Sequence, residues 1–226
     1  MSDYSADFYR KHADRYAEVA HQFIQSVYLD ATHPQLKGDR DLHTRLKELT
    51  PGKRGLDAGC GAGARDVYLF WTEGYDMWGI DVIPENIKVA HELHPEIKER
   101  VSVRDLRQPL PFDDEDFDFV MCNAVIQHMD ADDVYQNVFP EIARVLRPSG
   151  VFQLMFKSGA GIATVYDKDY ESDRSFRLFT AEELLIKLKE HELHLINPEG
   201  DKLGGILYFT DPKPMKHGVF FVRKQA

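Results

Sequence analysis

The residues best equipped for chemistry lie in Leu56-Asp57-Ala58-Gly59-Cys60-Gly61-Ala62-Gly63, a carboxylate followed by glycines at alternate positions. Glycines spaced this way let a ligand approach backbone N–H groups with no Cβ in between. Gly59, Gly61 and Ala64 also satisfy the GxGxxG/A dinucleotide spacing, so the glycines alone leave two nucleoside cofactors open. Asp57 separates the two by charge. It stands just before the first glycines, where a pyrophosphate would be repelled and an ammonium attracted. S-adenosylmethionine (SAM), which carries an amino group and a sulfonium, suits that carboxylate better than NAD does. Asp81, at the end of the next β-like run, is placed to bind a ribose diol, a feature both cofactors share.

The hydrophobic pattern around these residues predicts the scaffold that positions them. Lys53 to Asp57 reads as a short strand, and a helical stretch with Val67, Leu69, Phe70 and Trp71 ends at Gly74. Tyr75 to Asp81 is a second strand, Pro84 opens a helix with Ile87, Ala90, His91 and Leu93, and Arg100 to Arg104 is a third strand. Asp116 to Cys122 is a fourth strand. Val134, Val138, Ile142, Val145 and Leu146 line a helix, and Pro148-Ser149-Gly150 turns into a fifth strand, Val151 to Lys157. Strands alternating with helices predict an α/β fold: a parallel sheet with right-handed crossovers and helices on both faces. Ligands of such sheets sit beyond the carboxyl ends of the strands, where the glycine turn falls. Ser158 to Arg177 reads as a long polar loop, Thr180 with Glu183 as a capping box, and Gly205 to Thr210 with Gly218 to Arg223 as an antiparallel hairpin on the sheet edge. Ahead of this core, Tyr9, Ala13, Tyr16, Ala20, Phe23, Ile24 and Val27 share one stripe of an amphipathic helix, and Leu42 to Leu49 forms a second. Residues 1–226 therefore read as one domain, a helical cap over 1–50 on a core over 51–226.

Four ordered segments carry a resemblance to a known family: LDAGCGAG (56–63), GIDV (79–82), VRDLRQPLPFDDEDFDFVMCNAVIQHM (103–129) and ARVLRPSGVFQL (143–154). The chain resembles the class I SAM-dependent methyltransferases that act on small molecules. The resemblance implies a Rossmann-like, seven-stranded, mostly parallel sheet with an antiparallel C-terminal strand and an N-terminal helical lid. It implies that Asp57, Ala58 and the turn of Gly59, Cys60, Gly61 and Gly63 hold the methionine part of SAM, with S-adenosylhomocysteine as product. Asp81 would take the ribose hydroxyls, Val82 would pack on the adenine face, Asp105 and the Leu106 backbone would meet the adenine, and Asn123 would lie beside the cofactor. Ser149 departs from the family, which often has a second glycine there.

Methyl transfer from a sulfonium is an in-line displacement with an already activated donor, so the protein mainly excludes water and aligns the nucleophile. A base is needed only where the acceptor must lose a proton. His128, near the carboxyl end of the fourth strand, is the candidate base, because an ordinary imidazole pKa of about 6.5 suits neutral pH. Its alternative is a histidine bonded to a loop carbonyl beside the cofactor. Tyr16 is a candidate for the cofactor. Tyr9 and His12 on the first helix, and Lys157, Tyr166, Arg174 and Arg177 after the fifth strand, are candidates for the acceptor. An aromatic core stripe and a solvated mixed-charge loop are the alternatives for these two groups. Residues 1–28, which include Tyr4 and Phe8, are expected to close over the site as a mobile lid.

Lys and Arg number 28 against 38 Asp and Glu, a net charge of -10 that disfavours nucleic acid as a partner. No apolar run reaches the length of a membrane span and the N-terminus lacks an apolar signal core, so the expectation is a cytoplasmic protein, a monomer or homodimer, with a small-molecule acceptor. The cysteines, Cys60 and Cys122, suggest neither a disulfide framework nor a metal site. A nucleic-acid amino-methyltransferase would carry Asn or Asp before Pro-Pro-aromatic after the fourth strand, where this chain has Asn123-Ala124-Val125. An arsenic methyltransferase would need several thiolates. A SAM-binding regulatory protein without turnover and an NAD-dependent oxidoreductase remain as other readings.

Overall fold

A computed structural model describes residues 6–23, 27–210 and 215–225 of the chain. The core is a sheet in the order β3-β2-β1-β4-β5-β10-β8, with β9 also paired to β10. Its strands are β1 (Arg54–Ala58), β2 (Asp76–Asp81), β3 (Val101–Val103), β4 (Phe117–Asn123) and β5 (Leu146–Lys157), then β8 (Leu193–Leu195), β9 (Leu207–Thr210) and β10 (Lys216–Lys224). The first five are parallel neighbours, and β10 runs antiparallel to β5, β8 and β9. The strand order reverses between β1 and β4, which opens a crevice at their carboxyl ends.

Burial on both faces explains why β4 reads as an unbroken apolar run rather than an alternating one. Val120 and Cys122 face a layer built with α6 (Phe139–Val145) and α7 (Ala181–Lys189), where Phe139, Ile142, Leu184 and Leu188 are fully buried. Phe119 and Met121 face the opposite layer, formed by α2 (Asp39–Leu49), α3 (Arg65–Thr72) and α4 (Pro84–Leu93) through Leu42, Leu46, Val67, Phe70, Ile87 and Ala90. Short α5 (Ala131–Asp133) passes into α6 through a π turn at Val134–Val138. Asp116 and Asp118 brace the amino end of the sheet, as their flanking positions suggest. Asp116 takes both Arg54 nitrogens at 2.9 and 2.8 Å, and Asp118 accepts from the Arg54 N–H and from Arg147, each at 2.9 Å.

The expected mostly parallel sheet is present, with eight strands among the described residues where seven were expected, and the segments around it differ in four places. Residues 158–177 are not a loop: β6 (Ile162–Asp167) and β7 (Ser172–Arg177) pair as a separate antiparallel hairpin. Their polar residues hide it, because only one face is covered and Ile162, Thr164 and Tyr166 point to solvent. The C-terminal hairpin is real, but β10 lies inside the sheet between β5 and the β8/β9 edge. That edge includes Leu193–Leu195, too short a run to show a pattern. Finally, α1 covers Ala6–Phe23, and Val27 is 64% exposed outside it; Tyr4 and Ile24 lie outside the described residues.

Ser149 has φ of 66°, the left-handed region that costs a residue with a Cβ about 1–2 kcal/mol. This is the physical reason a glycine suits the turn. Because glycine also adds unfolded-state entropy, Ser149→Gly should raise stability by only about 0.5 kcal/mol, read from the denaturant midpoint at constant slope.

Candidate active site

The glycine turn is built by hydrogen bonds that leave its outer face bare. The Gly59 and Cys60 N–H groups both donate to the Ile80 carbonyl at 2.9 Å, fastening the turn to β2. Asp81 Oδ2 accepts from the Gly61 N–H at 2.9 Å, and Oδ1 accepts from the Ile83 N–H at 2.8 Å and Asn86 Nδ2 at 3.2 Å. One carboxylate thus joins the turn to the start of α4. At Gly59, with φ of 106°, a Cβ would come within 2.3 Å of Val125, and at Gly61, with φ of 64°, within 3.0 Å of the Tyr16 ring.

Two adjoining cavities open here, both bordered by Tyr9, Tyr16, Gly59, Gly61, Asn123 and Ala124. The first, about 680 Å³ and open to solvent, runs past Asp81, Val82, Asp105, Leu106, His128 and Met129. The second, about 1280 Å³, has Asp57, Cys60, Arg65 and Asp66 at one end and Met155, Lys157, Arg174, Phe176 and His217 at the other. Ala124 has φ of 57°, a strained turn that swings the chain away from β4 and leaves Asn123 beside both spaces.

The acids of the second cavity are not equivalent. Asp57 is 4% exposed, and burial, with Asp66 nearby, pushes its carboxyl well above the usual range. Burial acts the same way on Asp66, but the guanidinium of Arg65 at 2.7 Å and His43 at 3.5 Å outweigh it and keep that carboxyl low. Among the described residues no hydrogen bond to the Asp57 side chain is formed, and the charge of Arg65, which pairs with Asp39 and Asp66, only partly offsets its burial.

Opposite them, Arg174 lies between the rings of Phe8, Tyr9, Tyr170 and Phe176, pairs with Asp167 at 2.9 Å, and donates to the Tyr9 hydroxyl. The Tyr9 hydroxyl also shares a hydrogen bond of 3.1 Å with His128 Nε2, and His128 Nδ1 has no hydrogen-bond partner among the described residues. Burial, then Arg174 and Lys157, hold the His128 pKa well below the ordinary value. Lys157 donates to His217 Nε2 at 3.1 Å, and burial with that ammonium lowers His217 to about 3.

The chain's relatives can be set beside this geometry. A family model described as a methyltransferase domain matches residues 56–154, from β1 through the turn, Asp81 and Asn123 into β5. The 2-methyl-6-phytyl-1,4-hydroquinone methyltransferase of Synechocystis is 33% identical over 134 residues, covering 59% of this chain and 39% of that protein. The chain therefore spans well under two thirds of that relative's length. A 1,6-didemethyltoxoflavin-N1-methyltransferase of Burkholderia thailandensis, solved with its substrate and S-adenosylhomocysteine, has a TM-score of 0.61 at 22% identity over 83% of this chain and 77% of its own. The [4+2]-cyclase SpnF gives 0.67 at 19% identity over 100% and 97%. A cyclase on this fold shows that the fold does not name the reaction, so the site has to.

Of the residues singled out in the sequence, the fold brings Asp57, Gly59, Cys60, Gly61, Asp81, Val82, Asp105, Leu106, Asn123, Tyr9, Tyr16, His128, Lys157 and Arg174 to the walls of the two cavities. Asp105 is already held: Arg107 grips it through Nε and Nη2, and despite burial this lowers its pKa. His12 stacks between Phe8 and Tyr170 at a kink in α1, Arg177 pairs with Asp130 at 3.1 Å, and Tyr166 is 60% exposed. None of these three lines either cavity, nor do Ala58 and Gly63. Burial pushes the Cys60 and Cys122 thiols up, which keeps both inert. Sequence reasoning passed over Arg65, Gln127, Met155, Phe176 and His217, which come from separate elements and share no local motif.

The expectation that His128 keeps an ordinary pKa is corrected by its surroundings. Its ring should stay neutral well below the ordinary imidazole range, and a titration near the ordinary value of about 6.5 by ¹³C or ¹⁵N NMR would contradict the geometry. Tyr9→Phe removes the link from α1 to Arg174 and His128. Losing about 1 kcal/mol there should speed amide exchange across residues 6–23 about fivefold and leave the sheet amides unchanged.

Proposed function

We propose that the protein binds SAM across the two cavities and transfers its methyl group to a small-molecule acceptor in the second. The observation that carries this reading is Asp57, a buried carboxyl without a hydrogen-bond partner among the described residues, facing glycines whose outer side is open. An ammonium there supplies the missing counter-charge, whereas a pyrophosphate would meet a second anion. The methionine end of the ligand then lies by Asp57, Gly59 and Gly61, the ribose by Asp81, and the adenine between Val82 and the Leu106 backbone. Tyr16, packed against Gly61, covers the junction. SAM supplies the activated methyl group when bound. The chain's part is to hold both partners in line in a space screened by α1 and the β6–β7 hairpin. His128 acts in this reading by holding Tyr9, and α1 with residues 1–50 acts as the cap.

The sign of the pH effect follows from Asp57. Its raised pKa means that the ligand-free protein binds a proton there that the unfolded chain has already lost, so this group's contribution to stability falls as pH rises through the raised value. A cationic ligand needs the ionised form. SAM affinity measured by calorimetry should therefore climb with pH above the ordinary carboxyl range of about 4 and then level off. Asp57→Asn should weaken SAM binding roughly 10- to 100-fold, flatten that pH dependence, and make the ligand-free protein more stable than wild type at high pH. Equal affinity in both proteins would remove Asp57 from the site.

A further inference from the structure

Gln127 belongs to the 3₁₀ turn after β4, is 1% exposed and lines the second cavity. Its Nε2 donates to the Ala124 carbonyl at 2.8 Å, an acceptor only an amide nitrogen can satisfy, so the orientation of the amide is fixed. Oε1 is thereby turned to the other side, and it has no hydrogen-bond partner among the described residues. A buried carbonyl without a donor is uncommon in a folded protein and calls for a donor that the described residues do not supply.

We propose that the second cavity receives a neutral amino group and that Gln127 Oε1 accepts one of its N–H hydrogens, making the acceptor a small amine with an apolar or aromatic body. This rests on the methyltransferase reading above and narrows it. A hydroxyl nucleophile would need a base, and with Asp57 given to the SAM ammonium the titratable groups at the other end of the cavity are engaged. His217 Nε2 accepts from Lys157, His128 borders the adjoining cavity and shares a hydrogen bond with Tyr9, and both rings are held neutral against protonation. Burial keeps the Tyr9 and Tyr16 phenols protonated, and Asp167 is engaged by Arg174. An amide oxygen cannot remove a proton, but it can orient an amine, whose lone pair stays available while one N–H remains bonded to it.

In the transfer, the nitrogen lone pair forms the new N–C bond, the C–S pair returns to sulfur, and the extra proton on the product leaves to water. The N–H bond to Gln127 strengthens as positive charge grows on nitrogen, so it favours the transition state over the bound amine. Lys157 and Arg174 keep the incoming amine unprotonated. Met155, Phe176, Phe209 and Met215 supply the apolar walls.

The test uses aniline, N,N-dimethylaniline and phenol as probes on the full chain loaded with S-adenosylhomocysteine, with binding followed by NMR. Aniline should bind about tenfold more tightly than N,N-dimethylaniline, which lacks the N–H, and Gln127→Leu should erase that difference while S-adenosylhomocysteine affinity stays within about twofold. The comparison of probes on the wild-type protein stands even if the variant folds poorly. Equal binding of aniline and N,N-dimethylaniline, methylation of phenol in preference to aniline from labelled SAM, or loss of S-adenosylhomocysteine affinity in Gln127→Leu would each overturn the proposal. Failure of wild type to bind S-adenosylhomocysteine would instead strike the methyltransferase reading itself, so the two failures are distinguishable.

Discussion

The carboxylate of Asp81 holds the site together. By accepting the Gly61 and Ile83 N–H groups it ties the glycine turn to the first turn of α4, so β1, β2 and both following helices meet at one anion. Charge-assisted bonds of this kind are shorter and stronger than neutral ones. Without that anchor, a turn with successive glycines would sample many conformations, and the bare face beside Asp57 would not persist. The left-handed residues around it, Ala64 and Ala124 as well as the glycines, are tolerated because these bonds over-determine the backbone.

From this corner the charges fall into two zones. At the α3 end, Arg65 forms its ion pairs with Asp39 and Asp66 and only partly offsets the burial of Asp57. At the β10 end, Arg174 and Lys157 stand among aromatic rings and suppress protonation of two histidines. A ligand spanning the gap meets an acidic seat on one side and a positive, apolar chamber on the other. Histidine is commonly the titrating base of a site. Here the neighbours make both imidazoles fixed hydrogen-bond partners instead, and that moves attention from proton removal to orientation.

The enclosure depends on contacts distant in sequence. Arg174 of β7 reaches Tyr9 of α1, and Tyr9 reaches His128 beyond β4, so the hairpin, the cap and the catalytic edge form one polar string. Arg174 is also surrounded by four rings, an arrangement that holds a guanidinium rigidly by cation–π contact. The Ala13 and Ala17 face of α1 packs on Ala62 and Val89, so the cap rests on the same glycine turn it covers.

What the sequence determined by itself was local and repetitive: strands alternating with helices, the unbroken apolar run of β4, the capped α7, and a glycine turn with acids at the ends of β1 and β2. Each is written within one stretch of chain, as a period or a spacing that backbone geometry requires. The β6–β7 hairpin escaped because one of its faces is in water and its residues carry no strong alternation. The place of β10 inside the sheet escaped because register between distant strands leaves no local mark. Only the tertiary structure decided how the acids differ, since Asp57 and Asp66 are the same residue type and diverge because Arg65 and His43 pair directly with Asp66, whereas at Asp57 burial outweighs the charge of Arg65. It likewise set His128 neutral, because burial and the charges of Arg174 and Lys157, carried on other elements, act through space rather than along the chain, and it left Gln127 Oε1 without a partner among the described residues.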